Sequence, residues 1–264
     1  MKLSLLNYNF VPGWSLDRLI AMAQAMGCEG LEFRLERGYG AGLELESPPE
    51  ERRRIRNRVA AAGLAIANLG TSSRFDAPDP AARRAMIEHT KRLVELAADV
   101  DCRRIRVFGD KLPSGVPPME VARYVGECLG ELGEIAAPFG VDVLMEMHVD
   151  FNDVDLALTA VETANQPNVA LVYNCDPRDL VEGSVRQTYE RVARWIRHVH
   201  IHEFDGSFPY PELFSLLRAD GYDGFLSTEF EKELTPEGYL TVYAALFRAW
   251  TGRPGPGEGG VSDS

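Results

Sequence analysis

Val141-Asp-Val-Leu-Met-Glu146 is the first of four short apolar runs in the C-terminal half of the chain that lead into residue types able to bind a metal ion. The other runs cover residues 169–176, 196–202 and 225–231. In a closed parallel barrel, the C-terminal ends of successive strands converge on one mouth. The runs therefore predict two carboxylates, an imidazole and a third carboxylate at one site. Such donors suit a divalent cation such as Mn²⁺, Co²⁺, Zn²⁺ or Mg²⁺, which indicates an enzyme active site.

The whole chain alternates between strand and helix patterns. Strands are predicted over residues 3–7, 30–35, 64–69, 104–108, 141–146, 169–173, 196–202 and from 225 onward. Helices are predicted over residues 16–26, 49–62, 79–98, 119–139, 154–163, 184–195, 211–219 and 236–250. Strict alternation favours a parallel sheet with helices outside. Eight units in 264 residues favour an α/β fold with a single (β/α)8 TIM barrel over an open, doubly wound sheet.

The barrel is expected to cover residues 1–251. The remaining residues, 252–264, are rich in glycine and proline, and this composition predicts a disordered tail. No G-x-G-x-x-G follows the first strand, which disfavours a dinucleotide-binding fold. The chain pattern contains no other domain boundary.

Composition limits the class of partner. The formal net charge of -12, from 28 basic and 40 acidic residues, disfavours nucleic acid as a partner. No apolar run approaches the length that spans a bilayer, and the N-terminus lacks the apolar region of a signal peptide. The four cysteines are far apart and form no C-x-x-C pair. They predict reduced thiols and a cytoplasmic location.

Four motifs carry a family resemblance: Leu144-Met-Glu146-Met-His148, Tyr173-Asn-Cys-Asp176-Pro, His198-Val-His200-Ile-His202 and Gly221-Tyr-Asp-Gly-Phe-Leu-Ser-Thr-Glu229-Phe-Glu231. They resemble the xylose isomerase-like TIM-barrel superfamily. More closely, they are similar to its sugar phosphate isomerase/epimerase branch, which includes ketose 3-epimerases, hydroxypyruvate isomerase and inosose dehydratase. Members of that branch often form dimers or tetramers, so a homo-oligomer is compatible with the resemblance.

The resemblance implies that Glu146, Asp176, His200 and Glu229 bind one divalent metal ion. It also implies that Glu146 and Glu229 face opposite sides of a substrate carbon and act as an acid–base pair through an enediolate. On an extended strand six, Asn174 and Asp176 lie on the same side, and the resemblance selects Asp176.

Strand seven departs from the commoner H-x-K-D pattern of the family. His202 stands where that pattern has lysine. The glycine-rich loop that often follows this strand is also absent from the sequence, so no phosphate cradle is predicted there.

Six further residues are candidates for substrate binding: His148, His202, Arg106, Glu32, Trp14 and Phe75. His148 is expected either to bind substrate or to orient Glu146, with a rim histidine bonded to a loop carbonyl as the alternative. Glu32 is expected to bind a substrate hydroxyl or to pair with Arg106, which is itself a candidate clamp for an anionic group. The two aromatics are expected to wall a sugar site or to pack on the barrel rim. Of the three histidines on strand seven, the deepest, His198, is the best candidate for a structural role.

The leading hypothesis is a metal-dependent isomerase or epimerase of a small sugar, ketose or polyol derivative. A metal-dependent dehydratase of the inosose or dehydroshikimate type is the alternative in the same site. A barrel that has lost activity and serves as a subunit is the non-enzymatic alternative. An endonuclease of the same ancestry is disfavoured, because it needs further metal ligands and a basic groove.

Overall fold

The computed structural model describes residues 1–204 and 208–230 of the chain. The predicted last helix over 236–250, the predicted tail over 252–264 and Glu231 lie outside the described residues.

Eight strands form one closed barrel in which each strand pairs with the next and the last pairs with the first. All eight pairings are parallel. The strands are β1 Lys2–Asn7, β2 Gly30–Arg34, β3 Ala65–Arg74, β4 Arg104–Phe108, β5 Asp142–Glu146, β6 Val169–Tyr173, β7 Ile196–Ile201 and β8 Phe225–Thr228. The predicted single (β/α)8 barrel is confirmed.

Helices connect these strands across the outside of the barrel. Among the described residues they are α1 Leu16–Ala25, α2 Pro49–Ala61, α3 Pro80–Asp99, α4 Pro118–Ala136, α5 Val154–Ala164, α6 Arg186–Val192 and α7 Tyr210–Ala219. Ser15 caps α1 by accepting a hydrogen bond from the backbone N–H of Arg18 at 3.4 Å, a role that serine often has at the start of a helix. None of the described helices combines the length and apolarity needed to cross a membrane.

The strand β3 differs from its prediction, because it continues to Arg74 instead of ending at Leu69. Its pairing with β4 is irregular between Gly70 and Arg74. Within that irregularity, the Thr71 hydroxyl donates to the carbonyl oxygen of Arg106 at 2.8 Å. The Thr71 side chain thus accepts the role of a strand partner where the backbone pairing is irregular. The sequence pattern did not predict this extension of β3.

The interior of the barrel is unusually polar. TIM-barrel interiors are ordinarily filled by branched apolar side chains, and here Leu144, Ala170 and Val172 form only a small buried apolar cluster. Side chains alternate between the two faces of a strand, so Glu146 shares the inward face of β5 with Leu144. The other buried polar residues of the barrel strands include Ser4, Glu32, Asn68, Arg106, His198, His200 and Ser227. The candidate site therefore has a polar support that extends down into the barrel.

Candidate functional site

Three predicted ligands meet where β5, β7 and β8 end. The His200 imidazole Nδ1 lies 3.2 Å from Glu146 Oε1 and 3.1 Å from Glu229 Oε2. One donor atom from each residue lies within 4.8 Å of the others. All three residues are buried, so the convergence of distant chain segments creates a compact cluster of charge.

The fourth predicted ligand, Asp176, does not lie within this group of donors in the structure. Both carboxylate oxygens of Asp176 accept hydrogen bonds from the Arg178 guanidinium, at 2.9 and 2.7 Å. The reason lies in the backbone of Cys175, which has a φ of +51°. This left-handed residue interrupts the extended chain on which Asn174 and Asp176 were expected to share a side.

The side chain of Asn174 occupies the position expected for Asp176. With its amide nitrogen turned inward, it lies 3.3 Å from Glu146 Oε1, 3.0 Å from Glu229 Oε2 and 3.1 Å from His202 Nε2. In that orientation the amide donates to both carboxylates. Strand six thus contributes a neutral side chain to the cluster in place of an anion.

A second buried network lies behind His200. Its Nε2 is 3.1 Å from Glu32 Oε1, and Glu32 Oε2 is 2.8 Å from Nε2 of His198. Asn68 donates its amide to Glu32 Oε1 at 2.9 Å, and Ser227 Oγ lies 2.9 Å from His198 Nε2. Glu32 is therefore engaged with two imidazoles inside the barrel, and the expectation that it faces the substrate pocket is corrected.

The Arg106 guanidinium binds Glu146 and is not free to clamp a substrate, contrary to its expected role. Its Nε lies 2.9 Å from Glu146 Oε2, and its Nη1 donates to the carbonyl oxygen of Thr71 at 2.8 Å. The guanidinium carbon is 4.0 Å from the ring centroid of Phe108. The expected alternative, an ion pair between Arg106 and Glu32, does not form.

Burial and neighbouring charges set the protonation of these groups. Burial opposes ionisation of Glu146, yet Arg106 and His200 lower its pKa to about 2. Burial also disfavours a charged His200, but the three carboxylates around it raise its pKa well above the usual value. Burial likewise lowers the pKa of His198 despite the adjacent Glu32 carboxylate. Without a cation, His200 is the positively charged imidazole of the pair, held between carboxylates on both sides.

The first cluster suits a divalent cation. Donors that share one cation at about 2.1 Å stand roughly 3 Å apart, and the separations of His200 Nδ1 from Glu146 and Glu229 match this spacing. Nε2–H of His200 would still donate to Glu32, and such a carboxylate partner orients a metal-bound histidine. Glu32, His198 and His200 also lie within 4.8 Å of one another, but their side chains are fully buried. The donors around Nδ1 are the better site, because Glu229 reaches a cavity.

A cavity of about 330 Å³ opens beside Glu229, which is large enough for a small ligand. Its lining residues are Tyr8, His148, Val149, Asn174, Cys175, Asp176, Pro177, Arg178, His202 and Glu229. Tyr8 and Arg178 were not among the site residues predicted from the sequence. Tyr8 directly follows the last residue of β1, and this position at a strand end was the signal available for it.

Two predicted histidines line the cavity. The His148 side chain is 41% exposed, and its Nδ1 lies 3.7 Å from Asp110 Oδ1. His202 is more constrained, because its Nδ1 lies 3.1 Å from the Glu229 carbonyl oxygen and its Nε2 lies 2.8 Å from the Asn174 carbonyl oxygen. His148 is therefore free to contact a ligand, whereas His202 joins the loops after β6 and β8.

Neither of the two predicted aromatics, Trp14 and Phe75, is among the residues that line this cavity, and both pack against other parts of the protein instead. Phe75 is completely buried in the hydrophobic core, because β3 runs on to Arg74 and carries the next residue with it. The Trp14 ring packs against the Arg18 guanidinium, whose carbon is 4.2 Å from the ring centroid. Tyr8 is the aromatic side chain that borders the cavity.

Comparison with known proteins supports the expected family. Residues 20–248 match the family model described as xylose isomerase-like TIM barrel, which confirms the resemblance inferred from the motifs. A 2-oxo-tetronate isomerase of Cupriavidus necator is 27% identical over 154 residues, which cover 53% of this chain and 59% of that relative. The chain thus matches about three fifths of the length of this curated relative.

Solved structures share the fold. A 3-keto-D-glucoside 4-epimerase from E. coli superposes with a TM-score of 0.75 at 20% identity, covering 94% of this chain and 99% of the other. A D-psicose 3-epimerase from Clostridium cellulolyticum gives a TM-score of 0.74 at 16% identity, covering 92% and 89%. A protein described as IOLI with a bound zinc atom gives 0.72 at 18% identity, covering 95% and 96%. At these identities the likeness concerns the fold.

Proposed function

The chain belongs to the xylose isomerase-like TIM-barrel family, and on that premise we propose that it is a divalent-cation-dependent isomerase or epimerase of a small carbohydrate. The observation that carries the proposal is the meeting of Glu146, His200 and Glu229 beside a cavity lined by polar side chains. Two carboxylates and one imidazole are a donor set for Mn²⁺, Co²⁺, Zn²⁺ or Mg²⁺.

In this proposal Glu146, His200 and Glu229 hold the cation. When bound, a divalent cation would stabilise negative charge that develops on the adjacent carbonyl and hydroxyl oxygens of a hydroxyketone. The IOLI protein, which has the same fold, was solved with a bound zinc atom, and this supports a cation in this barrel architecture.

Proton transfer is assigned to the carboxylates at the cavity. A carboxylate beside the substrate takes a proton from the carbon next to the carbonyl, which leaves an enediolate, and the proton then returns to carbon. Glu229 borders the cavity and meets the first requirement of a general base, which is access to the reacting carbon.

The remaining cavity residues would bind substrate. Tyr8, His148 and Arg178 line the cavity, and hydroxyl, imidazole and guanidinium groups hydrogen-bond to the hydroxyls of a sugar. His202 holds the loops after β6 and β8 together through its two carbonyl contacts. Its proposed contribution is the shape of the pocket as well as contact with the substrate.

The relatives support the reaction class. The similar curated protein is named as an isomerase of 2-oxo-tetronate, and the similar structures are named as epimerases of keto sugars. Loss of a proton beside a carbonyl can start either kind of reaction, and this is the chemistry proposed for the cavity.

Hydrogen exchange in D₂O tests the proposal directly. The purified protein is stripped with a chelator, reloaded with Mn²⁺ or Co²⁺, and incubated with a panel of ketoses, while NMR follows deuterium entering carbon. We expect exchange with at least one ketose, loss of exchange after chelation and recovery with the cation. Metal analysis of the same sample reports whether a cation binds at all.

Matched variants locate the chemistry. Glu229→Gln should lower the exchange rate by about 10²–10⁴-fold, the contribution of a general base. The control is Glu190→Gln, which alters an exposed carboxylate on α6 that pairs with Arg186 and should exchange like the parent. Exchange that is indifferent to the chelator, or unchanged turnover in Glu229→Gln, contradicts the proposal.

A further inference from the structure

We infer that Arg178 determines the substrate class, and that its guanidinium binds the carboxylate of a sugar acid. Such a substrate has one carboxylate in addition to its carbonyl and hydroxyl groups. The inference rests on the proposed function and deepens it, because it concerns the same cavity. Among the described residues that line this cavity, Arg178 is the only arginine or lysine.

The Arg178 guanidinium is held by three hydrogen bonds and has donors left over. Its Nε and Nη2 donate to the two carboxylate oxygens of Asp176 at 2.9 and 2.7 Å, and its Nη1 donates to the carbonyl oxygen of Val149 at 2.7 Å. A guanidinium carries five N–H groups, so one N–H remains on Nη1 and one on Nη2. Two such groups on a planar fork match the two oxygens of a carboxylate.

The two members of the Asp176–Arg178 pair differ in exposure. The side chain of Arg178 is 55% exposed, whereas that of Asp176 is 21% exposed. Asp176 is therefore the more enclosed member, and the guanidinium is the member that a ligand can reach. The pair thus offers a ligand hydrogen-bond donors from a fixed cationic group.

The backbone that carries Arg178 is anchored on two sides. Residues Pro177–Asp179 form a short 3-10 helix after β6, and Oδ1 of Asp176 accepts a hydrogen bond from the backbone N–H of Arg178 at 2.8 Å. Asp179 is 2% exposed, and it accepts a hydrogen bond at 2.9 Å from Asn152, which belongs to the loop after β5. A recognition group that is ordered before binding loses little entropy when the ligand binds.

The charges around the cavity favour a ligand with one negative charge over a ligand with two. Two carboxylates are among the described lining residues. Asp176 pairs with Arg178, and Glu229 lies 3.1 Å from His200 Nδ1, at the proposed cation position. A phosphate ester carries almost two charges at neutral pH, and Asp176 already offsets the charge of the one guanidinium. The sequence also has no glycine-rich loop after strand seven that would supply backbone N–H groups to a phosphate.

A sugar acid can use both functional parts of the cavity. Glu229 and Arg178 line the same space of about 330 Å³. The carbonyl and the adjacent hydroxyl belong beside Glu229 and the proposed cation, and the carboxylate belongs on Arg178. A neutral ketose of the same length has a hydroxyl where the acid has its carboxylate. Because hydrogen bonds between charged groups contribute more than bonds to a neutral group, the acid should be the better substrate.

Matched pairs of compounds test this preference. Mn²⁺-loaded protein in D₂O is incubated with D-fructose and D-fructuronate, with D-tagatose and D-tagaturonate, and with erythrulose and 2-oxo-tetronate, while NMR measures kcat/KM for deuterium entry at carbon. Within each pair, the acid has a carboxylate where the neutral sugar has a hydroxymethyl group. D-fructose 6-phosphate is the comparison with a doubly charged group. We expect at least one acid to exceed its neutral partner by about tenfold or more in kcat/KM.

Variants of Arg178 connect the preference to the guanidinium. Arg178→Met should lower kcat/KM for the preferred acid about 10–100-fold more than for its neutral partner, mainly by raising KM. Arg178→Lys should retain part of the preference, because it keeps the charge but loses the planar fork. The control is Arg194→Met, which alters an exposed arginine that pairs with Glu162 and should keep the preference of the parent. Circular dichroism checks that each variant is folded.

The outcomes separate this inference from the proposed function. Deuterium entry that is fastest with a neutral sugar or with the phosphate ester would overturn the assignment of Arg178 and leave the proposed function standing. An Arg178→Met variant that loses the acid and its neutral partner equally, or that keeps the acid preference, would do the same, because Arg178 would then have a structural role alone. Deuterium entry in no compound of the panel would contradict the proposed function, and this inference with it.

Discussion

Arg106 Nε lies 2.9 Å from Glu146 Oε2, and both side chains are almost completely excluded from solvent. The register of neighbouring strands creates this pair, since Arg106 of β4 is paired with Leu144 of β5, two residues before Glu146. A buried ion pair of this kind costs desolvation on both sides. The guanidinium and the carboxylate each offset the charge of the other, which makes the pair sensitive to loss of one partner.

We predict that Arg106→Met destabilises the protein by about 3–5 kcal/mol, because it leaves the Glu146 carboxylate buried without its cation. The double variant Arg106→Met/Glu146→Leu should recover most of that loss, since no uncompensated charge remains. Urea unfolding at neutral pH measures both. The control is Arg186→Met, which removes an exposed pair with Glu190 and should cost at most about 1 kcal/mol. Equal stability of the Arg106 and Arg186 variants would show that the buried pair is not a structural requirement.

The sequence predicted which strand ends would meet because a parallel barrel brings all its C-terminal ends to one mouth. The prediction that Glu146, His200 and Glu229 meet depended only on correct strand boundaries. The prediction for Asp176 assumed an extended chain after β6, and the left-handed φ of Cys175 interrupts that extended conformation. Such an angle at a non-glycine residue is uncommon, and the sequence around it gives no signal for it.

The polar support beneath the site was also hidden from sequence. Glu32 and His198 meet across the barrel, and the contact depends on the closure of β8 onto β1 and on the depth of each residue. From sequence alone, a glutamate near a strand end is equally compatible with a side chain that faces the pocket and with one buried inside the barrel. The expectation that Phe75 lies in a loop beside the site did not anticipate the length of β3. The irregular pairing of β3 with β4 extends the strand beyond its apolar pattern.

Asn174, and not Asp176, is expected to matter for cation binding. Asn174→Ala removes the amide that lies about hydrogen-bond distance from Glu146 and Glu229, and loss of such a partner weakens a metal site by about 10–100-fold. Asp176→Ala removes a carboxylate held on the rim by Arg178, so its Mn²⁺ affinity should be nearly that of the parent. Calorimetric titration with Mn²⁺ compares the two. The reverse order of affinities would return Asp176 to the donor set.

Glu32 is predicted to position His200. Glu32→Gln replaces the carboxylate that lies 3.1 Å from His200 Nε2 and 2.8 Å from His198 Nε2 with an amide that accepts from only one of them. Mn²⁺ affinity should fall by about 10–100-fold. Glu36→Gln is the matched control, because Glu36 also faces a histidine, His89 at 2.6 Å, but outside the site. Similar Mn²⁺ affinities in the two variants would exclude this role for Glu32.

Asp179 should make stability depend on pH. Burial raises its pKa to about 6, and the hydrogen bond that Asn152 donates at 2.9 Å only partly opposes this. A carboxyl whose pKa is higher in the folded protein favours folding when protonated, so its cost appears as pH rises from about 4 through 6. Asp179→Asn should therefore stabilise the protein at pH 7 by an amount on the order of 2–3 kcal/mol, with little effect at pH 4. Urea unfolding at both pH values checks this, and a uniform effect at the two would contradict it.

Cation binding should release one proton, and His200 is its source. In the cation-free protein His200 is charged, because the surrounding carboxylates outweigh burial and raise its pKa well above the usual value. Its Nε2–H faces Glu32, and its Nδ1–H faces Glu146 and Glu229. A cation can take Nδ1 only after that proton leaves. Below the pKa of His200, Mn²⁺ affinity should thus rise about tenfold for each unit of pH. Calorimetry at pH 6, 7 and 8, in pairs of buffers with different ionisation enthalpies, counts the released protons.

Two histidine variants test the source of the proton. His200→Gln should abolish the release of the proton, whereas His148→Gln should retain it. Tight binding without proton release would place the cation away from His200.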